Sequence, residues 1–540
     1  MVASADNQST IAGLAMLRQG GNAVDAAVAT TLAISVVEPF SAGIGGGGFL
    51  LLGRPSPEPG VGYQIQALDF RERAPIAATP DMYLDATGQP QPGASLDGHL
   101  AAGVPGTIAG LYTVHRFYGQ LPWIEVVQPA INLAENGFPV GESLTRSIRQ
   151  RLPIIASNPA ARRIFTQNGQ PYQPGDILIQ QDLAQTLRQI AQEPRSFYQG
   201  RIAQAIAQDM KNYGGLITLE DLNVYTPIWR SPLCGEFRQA QVCSMPPPSS
   251  GGVHLLEMLN MIEPQDLKAW GPGHPNTLHW LTEVMRIAYA DRAEYLGDPD
   301  FVAVPVGSLT SRGYARERLK TINPNRAQPF QQIQPASLEQ IQRYRWESPE
   351  TSHLTVVDAA RNVVSLTFTI NTGFGAGVVA AGTGIVLNNE MDDFAIAPGV
   401  PNAFGLVGGA ANQIAPKKTP LSSMTPTIVT RDGKLLMATG TPGGSTIITT
   451  VLQVVLNVLE FGFDAETAVS APRIHHQWLP DRLMVEKGRM DSATLNELKR
   501  RGHSIIEQEG WGNANIILVT PQGDLEGAAD PRQDGAAEGF

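Results

Sequence analysis

Residues 347–375 read "ESPETSHLTVVDAARNVVSLTFTINTGFG", and the character of the chain changes at Thr351. The stretches "SHLTVVD" and "VVSLTFTIN" have the pattern of β-strands, and "DAARN" between them is typical of a turn. In the second strand apolar and polar residues alternate, which predicts that one face packs on a core while the other presents hydroxyls and an amide. The apolar face contains Val364, Leu366, Phe368 and Ile370, and the polar face contains Ser365, Thr367, Thr369 and Asn371.

The residues before this strand pair have a different composition. Residues 321–350 are rich in Gln and Pro and only weakly apolar, which predicts a segment without packed structure. If the chain is cleaved before Thr351, an unpacked segment must lead to the cut and an ordered strand must hold Thr351 after it. The abrupt change at Thr351 fits both requirements. The alternative is that Thr351 only begins a strand after a long loop.

Cleavage before Thr351 would give this residue a specific chemistry. A hydroxyl is a weak nucleophile at its ordinary pKa and needs a base beside it. The new α-amine of Thr351 would titrate near neutrality and would lie within reach of the hydroxyl of the same residue. Thr351 would then supply both the nucleophile and the base.

Patterns of helices and strands occur on both sides of Thr351. Two helices are predicted in the first forty residues, "STIAGLAMLRQ" and "NAVDAAVATTLAISVV", the second with Asn22 as its N-cap. The run "GIGGGGFLLLG" predicts a strand after a glycine-rich turn, and "TLHWLTEVMRIAYADRAEYL" has apolar residues at helical spacing. A further helix is predicted at "IITTVLQVVLNVLEFG". This mixture predicts an α+β protein with layered sheets.

Composition excludes several classes of function. The chain has 540 residues, enough for a large core, with 42% hydrophobic and 16% charged residues and a formal net charge of -11. The negative charge argues against a nucleic acid or an anionic lipid as partner. The uncharged residues 363–389 contain five glycines and alternate with period two, so they predict strands and turns and not a membrane span. The opening "MVASADNQST" has no basic region followed by an apolar one, so no signal peptide is predicted in it.

Three local patterns carry no firm prediction. Gly43, Gly45 and Gly48 satisfy G-x-G-x-x-G but precede a strand, so a dinucleotide site is not predicted. The pair His475–His476 has no third ligand at helical spacing, so no metal site is predicted. The only two cysteines, Cys234 and Cys243, flank "GEFRQAQV" and are able to face each other across a hairpin. A disulfide and two packed thiols both fit that spacing.

Two sets of motifs together identify a family. The segments "TSHLTVVD", "TINTGFGAG", "LNNEMDDF", "PLSSMTPTIV" and "GTPGGS" resemble, in order and spacing, the small subunit of the γ-glutamyltranspeptidases. The segments "GGNAVDAAVA", "GIGGGGF", "LDFRERAP", "MPPPSSGG" and "YADRAEYLGDPDF" resemble the large subunit. The resemblance extends over essentially the whole chain.

The resemblance implies a fold and a maturation step. The fold would be that of the N-terminal nucleophile hydrolases, a four-layer αββα sandwich built jointly by two subunits. Thr351 Oγ1 would attack the carbonyl of Glu350, and water would hydrolyse the resulting ester. The products would be a large subunit of residues 1–350, with 321–350 as its mobile C-terminal segment, and a small catalytic subunit of residues 351–540. The two would remain associated as a heterodimer.

The resemblance also implies which residues bind the α-carboxylate and the α-ammonium of a γ-glutamyl group. Arg71, Ser422 and Ser423 match positions that bind the carboxylate, and a planar guanidinium suits that group. Asn371, Glu390 and Asp393 match positions that bind the ammonium. Some relatives carry Gln at the position of Glu390. From the residues alone, a surface arginine, a plain turn and a solvated acidic loop are the alternatives.

The remaining positions implied by the resemblance concern catalysis. Thr369 matches a residue that hydrogen-bonds to the nucleophile, and Gly443 and Gly444 match an oxyanion hole made of backbone N–H groups. Residues 395–410 resemble a lid, in which Phe404 stands where some bacterial relatives carry Tyr. From the residues alone, a plain glycine turn is the alternative at 443–444.

The implied activity is that of a γ-glutamyl acyltransferase and glutathione hydrolase. A γ-glutamyl ester on Thr351 would pass to water, to an amino acid or to a dipeptide, without a metal or an organic cofactor. The alternatives are a related acylase of the cephalosporin or glutaryl type and an uncleaved, non-catalytic binding protein. The resemblance implies a periplasmic or extracellular location, with a cytoplasmic one as the alternative. The acceptor preference and any higher assembly are left open.

Overall fold

The computed structural model describes residues 1–58, 62–333, 351–397 and 399–540, and they form an α+β protein. The strands are β1 Val2–Ser4, β2 Gly47–Pro55, β3 Tyr63–Asp69, β4 Phe138–Pro139, β5 Thr166–Gln167, β6 Gln170–Pro171, β7 Ile177–Leu178, β8 Ile228–Arg230, β9 Leu233–Phe237, β10 Ala240–Ser244, β11 Ser352–Val357, β12 Val363–Thr369, β13 Thr427–Arg431, β14 Lys434–Gly440, β15 Ile474–His475, β16 Leu483–Glu486, β17 Ile505–Gln508, β18 Asn515–Val519, β19 Leu525–Ala529 and β20 Ala536–Glu538. The helices are α1 Asn7–Arg18, α2 Ala23–Val37, α3 Thr107–Tyr118, α4 Trp123–Asn136, α5 Glu142–Ser157, α6 Pro159–Phe165, α7 Gln181–Gln192, α8 Ser196–Gln199, α9 Arg201–Tyr213, α10 Leu219–Val224, α11 Gly251–Ile262, α12 Leu267–Trp270, α13 Pro275–Tyr295, α14 Val306–Leu309, α15 Arg312–Leu319, α16 Ile447–Leu459, α17 Ala465–Ser470 and α18 Ser492–Arg500.

Two β-sheets form the centre of the molecule. The first has the strand order β20-β1-β11-β12-β2-β3-β8, and the second has the order β19-β18-β14-β13-β10-β9. Helix α2 lies against β11 and β12 on one side, while α11 and α16 lie against the outer face of the second sheet. The layers are therefore α, β, β and α, as predicted. Each sheet contains strands from both sides of Thr351, so neither half of the chain could complete a sheet alone.

The predicted strand pair is present, with the predicted faces. Strands β11 and β12 pair antiparallel with Ser352 opposite Phe368, and the turn between them covers "DAARN". The apolar face of β12 packs in the core formed with α2. The opposite face points toward the second sheet, where Ser365 Oγ donates to the carbonyl of Thr439 at 3.1 Å. Because that face is polar, the space between the two sheets holds a row of hydroxyl groups beside the apolar core.

His353 lies within this polar layer. Its Nδ1 is 2.8 Å from Thr367 Oγ1, and its Nε2 is 3.0 Å from Thr355 Oγ1. Burial lowers the pKa of His353 to about 3, so the ring is neutral at ordinary pH. Asn515 Nδ2 also donates to the His353 carbonyl at 3.2 Å. These bonds tie β11 to β12 and to β18 immediately after Thr351.

The other local predictions are confirmed as well. Asn22 caps α2 with a full capping box, in which its side chain accepts from Asp25 N and the Asp25 side chain accepts from Asn22 N. The glycine run leads into β2, and the segment with apolar residues at helical spacing forms α13. Cys234 and Cys243 lie opposite each other in the β9–β10 hairpin and form a disulfide.

The segment predicted to lack packed structure is partly packed. Ile322 and Ile333 are buried in the core, and Trp478 Nε1 donates to the Ile333 carbonyl at 3.0 Å. The sequence does not show this because two isolated isoleucines in a Gln- and Pro-rich run carry no periodic signal. Residues 334–350, including Glu350, lie outside the described residues, as does position 398 of the predicted lid. Within the described residues, no helix is both long and apolar enough to cross a bilayer.

Candidate active site

The candidate nucleophile stands at the beginning of a central strand. Thr351 immediately precedes β11, and pairing of β11 with β12 places it beside Thr369. The two hydroxyl oxygens are 3.2 Å apart, and the Thr351 side chain is largely buried. Thr369 Oγ1 also accepts from the backbone N–H of Asn371 at 2.8 Å. That bond fixes the Thr369 hydroxyl, so Thr369 is held where it is able to orient the hydroxyl of Thr351.

Asn371 turns the chain away from β12. Its φ of 80° lies in the left-handed region, which Asn tolerates better than most residues. Its side chain donates to the Asn389 carbonyl at 3.0 Å. The neighbouring Asn388 accepts from the Glu390 N–H at 3.0 Å and donates to the carbonyl of Gly45 at 2.8 Å. These contacts bring the acidic segment 390–393, a short 3₁₀ helix, next to the end of β12.

Arg71 and three carboxylates form one largely buried group, called here the charged cluster: Arg71, Glu72, Glu390 and Asp393. Arg71 Nη2 is 2.5 Å from Asp393 Oδ2, its Nη1 pairs with Glu390 Oε1, and Nη1 is 3.8 Å from Glu72 Oε2. Arg71 is 2% exposed. The residues predicted to bind the carboxylate and the ammonium of one substrate are thus in direct contact. In this state the guanidinium fork is occupied by two side-chain carboxylates.

Electrostatics favour a retained proton in the charged cluster. Burial raises the pKa of Glu390 and of Asp393, and the charge of Arg71 opposes both shifts. Burial also raises the pKa of Glu72 to about 7. Both oxygens of Glu72 and Oε2 of Glu390 are buried, and among the described residues none of the three has a hydrogen-bond partner, which further disfavours a charge on these groups. A positively charged group entering the cluster would favour release of that proton.

Ser422 and Ser423 lie on a loop that is fixed by the turn before α11. The Ser422 carbonyl accepts from the N–H of Ser250 at 2.8 Å and from its hydroxyl at 2.7 Å. Ser422 Oγ accepts from Met424 N at 3.0 Å. The "PPPSS" turn of the large-subunit motif "MPPPSSGG" therefore positions this loop.

Arg292 contacts the predicted site residue Ser423, and nothing in the sequence indicates this contact. Its Nη2 donates to Ser423 Oγ at 3.3 Å, and its Nε donates to Ser250 Oγ at 3.0 Å. It is buried, and burial lowers its pKa while the charge of Asp393 opposes that shift. In the part of the chain that the structure describes, no carboxylate forms an ion pair with Arg292. The motif "YADR" contains this residue, but a helix that is buried on nearly all sides gives no sign of which polar residue faces a site.

Gly443 and Gly444 form the turn that leads into α16. Their φ angles are 137° and 54°, a region that residues with a side chain rarely adopt. A Cβ on Gly443 would also lie 2.5 Å from Thr446 Oγ1. The turn follows Gly440 of β14, which packs against the ring of His353, two residues from Thr351. Backbone N–H groups at this turn lie at the positive end of the α16 dipole, which suits an anion.

The predicted lid contacts the charged cluster. Asn402 Nδ2 donates to Asp393 Oδ1 at 3.1 Å, and the Ala403 N–H donates to Asp392 Oδ2 at 2.7 Å. Phe404 is buried, and its carbonyl accepts from Gln477 Nε2 at 3.0 Å. The described residues of 395–410 thus cover the acidic segment. The backbone carbonyl at position 404 makes a bond that does not depend on the missing tyrosine hydroxyl.

Comparison with known proteins gives a consistent result. The family model described as gamma-glutamyltranspeptidase matches residues 9–540. The glutathione hydrolase proenzyme of Escherichia coli (strain K12) is 47% identical over 534 residues, covering 98% of this chain and 90% of that protein. A cephalosporin acylase from Bacillus halodurans matches in structure with a TM-score of 0.86 and 29% identity, covering 100% of this chain and 96% of that one. A Helicobacter pylori gamma-glutamyltranspeptidase chain matches with a TM-score of 0.58 and 42% identity, covering 61% of this chain and 93% of that one.

Proposed function

The chain belongs to the γ-glutamyltranspeptidase family, and we propose that it is cleaved before Thr351 and uses the freed Thr351 to transfer γ-glutamyl groups from glutathione and related compounds. The observation that carries this proposal is the position of Thr351. It stands at the start of a central strand, directly after the Gln- and Pro-rich run, with its hydroxyl 3.2 Å from Thr369 Oγ1.

Maturation comes first. Thr351 Oγ1 attacks the carbonyl carbon of Glu350, and the C–N bond breaks as the ester forms, which frees the α-amine of Thr351. Water then hydrolyses the ester to a carboxylate on Glu350 and the hydroxyl of Thr351. The two fragments are expected to stay together as a heterodimer, since β11 and β12 lie between β1 and β2 in one sheet. The H. pylori chain supports this, because it is covered almost completely yet matches only part of this chain, as one processed subunit would.

Recognition of the γ-glutamyl group uses the charged cluster. The cluster carries more carboxylates than cations, so it attracts the substrate ammonium. As Asp393 and Glu390 turn toward the ammonium, the fork of Arg71 becomes available to the substrate carboxylate. Ser422, Ser423 and the buried guanidinium of Arg292 complete the carboxylate site. The ion pairs of Arg71 with Glu390 and Asp393 are therefore replaced by ion pairs with the substrate. Because the α-carboxylate and the α-ammonium cancel, the bound substrate adds no net charge to the pocket.

Acyl transfer then proceeds at Thr351. The α-amine takes the proton of the hydroxyl as Oγ1 attacks the γ-carbonyl carbon. The backbone N–H groups at Gly443 and Gly444 stabilise the oxyanion, and Thr369 holds Oγ1 in position. The tetrahedral intermediate breaks its carbon–nitrogen bond as the proton passes to the leaving amine. Water, an amino acid or a dipeptide then attacks the ester and regenerates Thr351.

Fragment analysis tests the cleavage directly. Division of the 57.9 kDa chain after residue 350 of 540 gives fragments of roughly 38 and 20 kDa on a denaturing gel. N-terminal sequencing of the smaller fragment should read Thr-Ser-His-Leu. An intact chain that nevertheless releases glutamate from glutathione would contradict the proposal. An intact, inactive chain would favour the non-catalytic binding protein.

The acylase remains the second candidate, because a cephalosporin acylase shares this fold over the full chain. Its substrates need not carry an α-amino group, whereas the charged cluster is suited to one. γ-Glutamyl-p-nitroanilide and glutaryl-p-nitroanilide differ only in that group and form a matched pair. We expect kcat/KM to be at least about 100-fold higher for the γ-glutamyl compound, since an unmet buried charge costs roughly 3 kcal/mol or more. Equal values would favour the acylase.

A further inference from the structure

A second polar group lies on α13, outside the active site. His279 and Glu283 are one helical turn apart on this helix, and His503 follows α18. All three side chains are buried, and one potential ligand atom from each lies within 4.8 Å of the others. His279, Glu283 and His503 are called here the histidine cluster. Sequence inspection missed it because His503 is 224 residues from His279.

The tautomer of His279 is fixed by its surroundings. Its Nε2 is 2.8 Å from the Asn323 carbonyl, which is able only to accept, so Nε2 carries the proton. Burial lowers the pKa of His279, which keeps the ring neutral and leaves Nδ1 with a lone pair. That lone pair points at His503 Nε2, 2.8 Å away. An imidazole whose outer N–H donates to a backbone carbonyl, with the inner nitrogen free to ligate, is the arrangement found in metal-binding histidines.

Glu283 is held in a similar way. Its Oε1 accepts from Arg286 Nη1 at 2.8 Å, and its Oε2 accepts from the Gln328 N–H at 3.1 Å. Each carboxylate oxygen has a second lone pair, so these bonds orient the group without blocking it.

The local charge suits a divalent cation. Glu283 and Asp481 are acidic, Arg286 pairs with both, and burial lowers the pKa of His503 to about 3, so the histidines are neutral. Burial raises the pKa of Glu283 and the charge of Arg286 opposes that shift. With Glu283 and Asp481 ionised, the two carboxylates and Arg286 sum to one net negative charge. Asp481 is 41% exposed at its side chain and also lies 3.2 Å from His476 Nε2, which gives the group an edge open to solvent.

We propose that His279 Nδ1, His503 Nε2 and a Glu283 oxygen bind one Zn²⁺, with water as the fourth ligand. Two imidazoles and a carboxylate are a common Zn²⁺ ligand set, and tetrahedral bonds of about 2.0–2.1 Å place donors about 3.3 Å apart. The two nitrogens, now 2.8 Å apart, need to separate by about 0.5 Å, and both rings need to turn so that their lone pairs converge on the ion with the Glu283 oxygen, which lies within 4.8 Å. On binding, His503 moves its proton from Nε2 to Nδ1, so no other reactant is needed.

The ion would have a structural consequence that rests on the proposed cleavage. His279 and Glu283 belong to residues 1–350, whereas His503 belongs to residues 351–540. Zn²⁺ would therefore join the two fragments at a point away from Thr351. Since His279 and Glu283 also bond to Asn323 and Gln328, the ion would fix the run that leads toward the junction.

Zn²⁺ binding is measured by competition with a chromogenic chelator, using protein first freed of metal by dialysis against EDTA. We expect one site per chain for Zn²⁺ and none of comparable affinity for Mg²⁺ or Ca²⁺, which prefer oxygen ligands. His503→Ala and Glu283→Gln should each weaken Zn²⁺ binding by about 100-fold or more. His274→Asn is the matched control, because it removes an exposed histidine from the start of α13 and keeps a capping side chain. This variant should bind as the wild type does.

Wild-type protein loaded with Co²⁺ provides a test that does not depend on the variants folding. A tetrahedral site with nitrogen and oxygen ligands gives an intense visible absorption, and Zn²⁺ should abolish it at one equivalent. Absence of that band, or equal Zn²⁺ affinity in wild type and His503→Ala, overturns the proposal. Uncleaved Thr351→Ala protein should bind Zn²⁺ equally well, so failure of the cleavage proposal and failure of this one are distinguishable.

Discussion

The two ends of the proposed substrate pocket hold their polar groups in different ways. At one end the hydroxyls of Thr351 and Thr369 form a neutral pair joined by one hydrogen bond of 3.2 Å. At the other end the charged cluster places three carboxylates around one buried guanidinium. Burying a hydrogen-bonded neutral pair costs little free energy, whereas burying ions costs several kcal/mol unless each ion is paired with an opposite charge.

From this difference we expect substitutions at the two ends to affect activity and stability in different proportions. Changes at the neutral end should remove catalysis while costing at most about 1–3 kcal/mol of stability, the range for a buried polar group that loses its partner. Changes at the charged end should reduce both, because they leave a buried charge without its partner.

Thr351→Ala should have the largest effect on activity. Removal of the hydroxyl leaves no nucleophile for cleavage or for turnover, so we expect one band on a denaturing gel and glutamate release reduced by more than about ten-thousand-fold. The unfolding midpoint should change little. Thr351→Ser is the control, because it keeps the hydroxyl and should still be cleaved. Cleavage of the alanine variant would refute the assignment.

Arg71→Met should reduce both stability and activity. Loss of the guanidinium leaves Glu390 and Asp393 buried without a counter-charge, which costs about 3–5 kcal/mol. We expect kcat/KM for a γ-glutamyl anilide to fall by about 1,000-fold, mostly through KM. Arg163→Met is the control, since its ion pair with Asp182 is 65% exposed at the arginine and should contribute within about 1 kcal/mol. A large loss of stability with unchanged kcat/KM would make the cluster purely structural.

Thr369→Val separates positioning from folding. The variant loses the hydroxyl beside Thr351, so kcat should fall by about 10- to 100-fold while KM changes little. Thr367→Val is closely matched: it lies on the same face of β12 and loses a bond to His353 instead. Both variants should lose similar stability, about 1–3 kcal/mol. Equal loss of kcat in the two variants would show that the effect is only structural.

The neutral end was more accessible to sequence reasoning than the charged end. Alternation with period two is local, so it placed Thr369 and Asn371 on the polar face of β12 without any knowledge of the fold. Contact between Arg71 and Asp393 joins residues 322 positions apart and could not be read from either segment alone. The family resemblance supplied both residues but not their ion pair.

Other features were inaccessible for related reasons. Arg292 is one of many buried residues on α13, and only tertiary packing directs it to Ser423. The disulfide was left open because the spacing of Cys234 and Cys243 fits a hairpin with or without oxidation. The patterns of helices and strands predicted an α+β protein with layered sheets, because such elements must bury a face against one another, and the αββα order of the layers was implied by the family resemblance.

Glu390→Gln should have the smallest effect and the most informative pH dependence. In the wild type the raised pKa of Glu390, and that of Glu72 at about 7, mean that the native cluster keeps a proton that the unfolded chain has already lost above about pH 4.5. The corresponding stability is present at low pH and is lost as the pH rises through about 7. Substrate binding should change in the opposite direction, because the more negative cluster attracts the ammonium more strongly. The two test conditions are pH 5.5 and pH 8, about 1.5 units below and 1 unit above the pKa of Glu72. From the lower to the higher pH we expect the unfolding midpoint and the KM of the wild type both to fall. In Glu390→Gln both changes should be flatter, with KM at pH 8 raised only about two- to five-fold. Parallel pH profiles in the two proteins would place the titrating proton elsewhere, and the two ends of the pocket would then differ in geometry but not in charge.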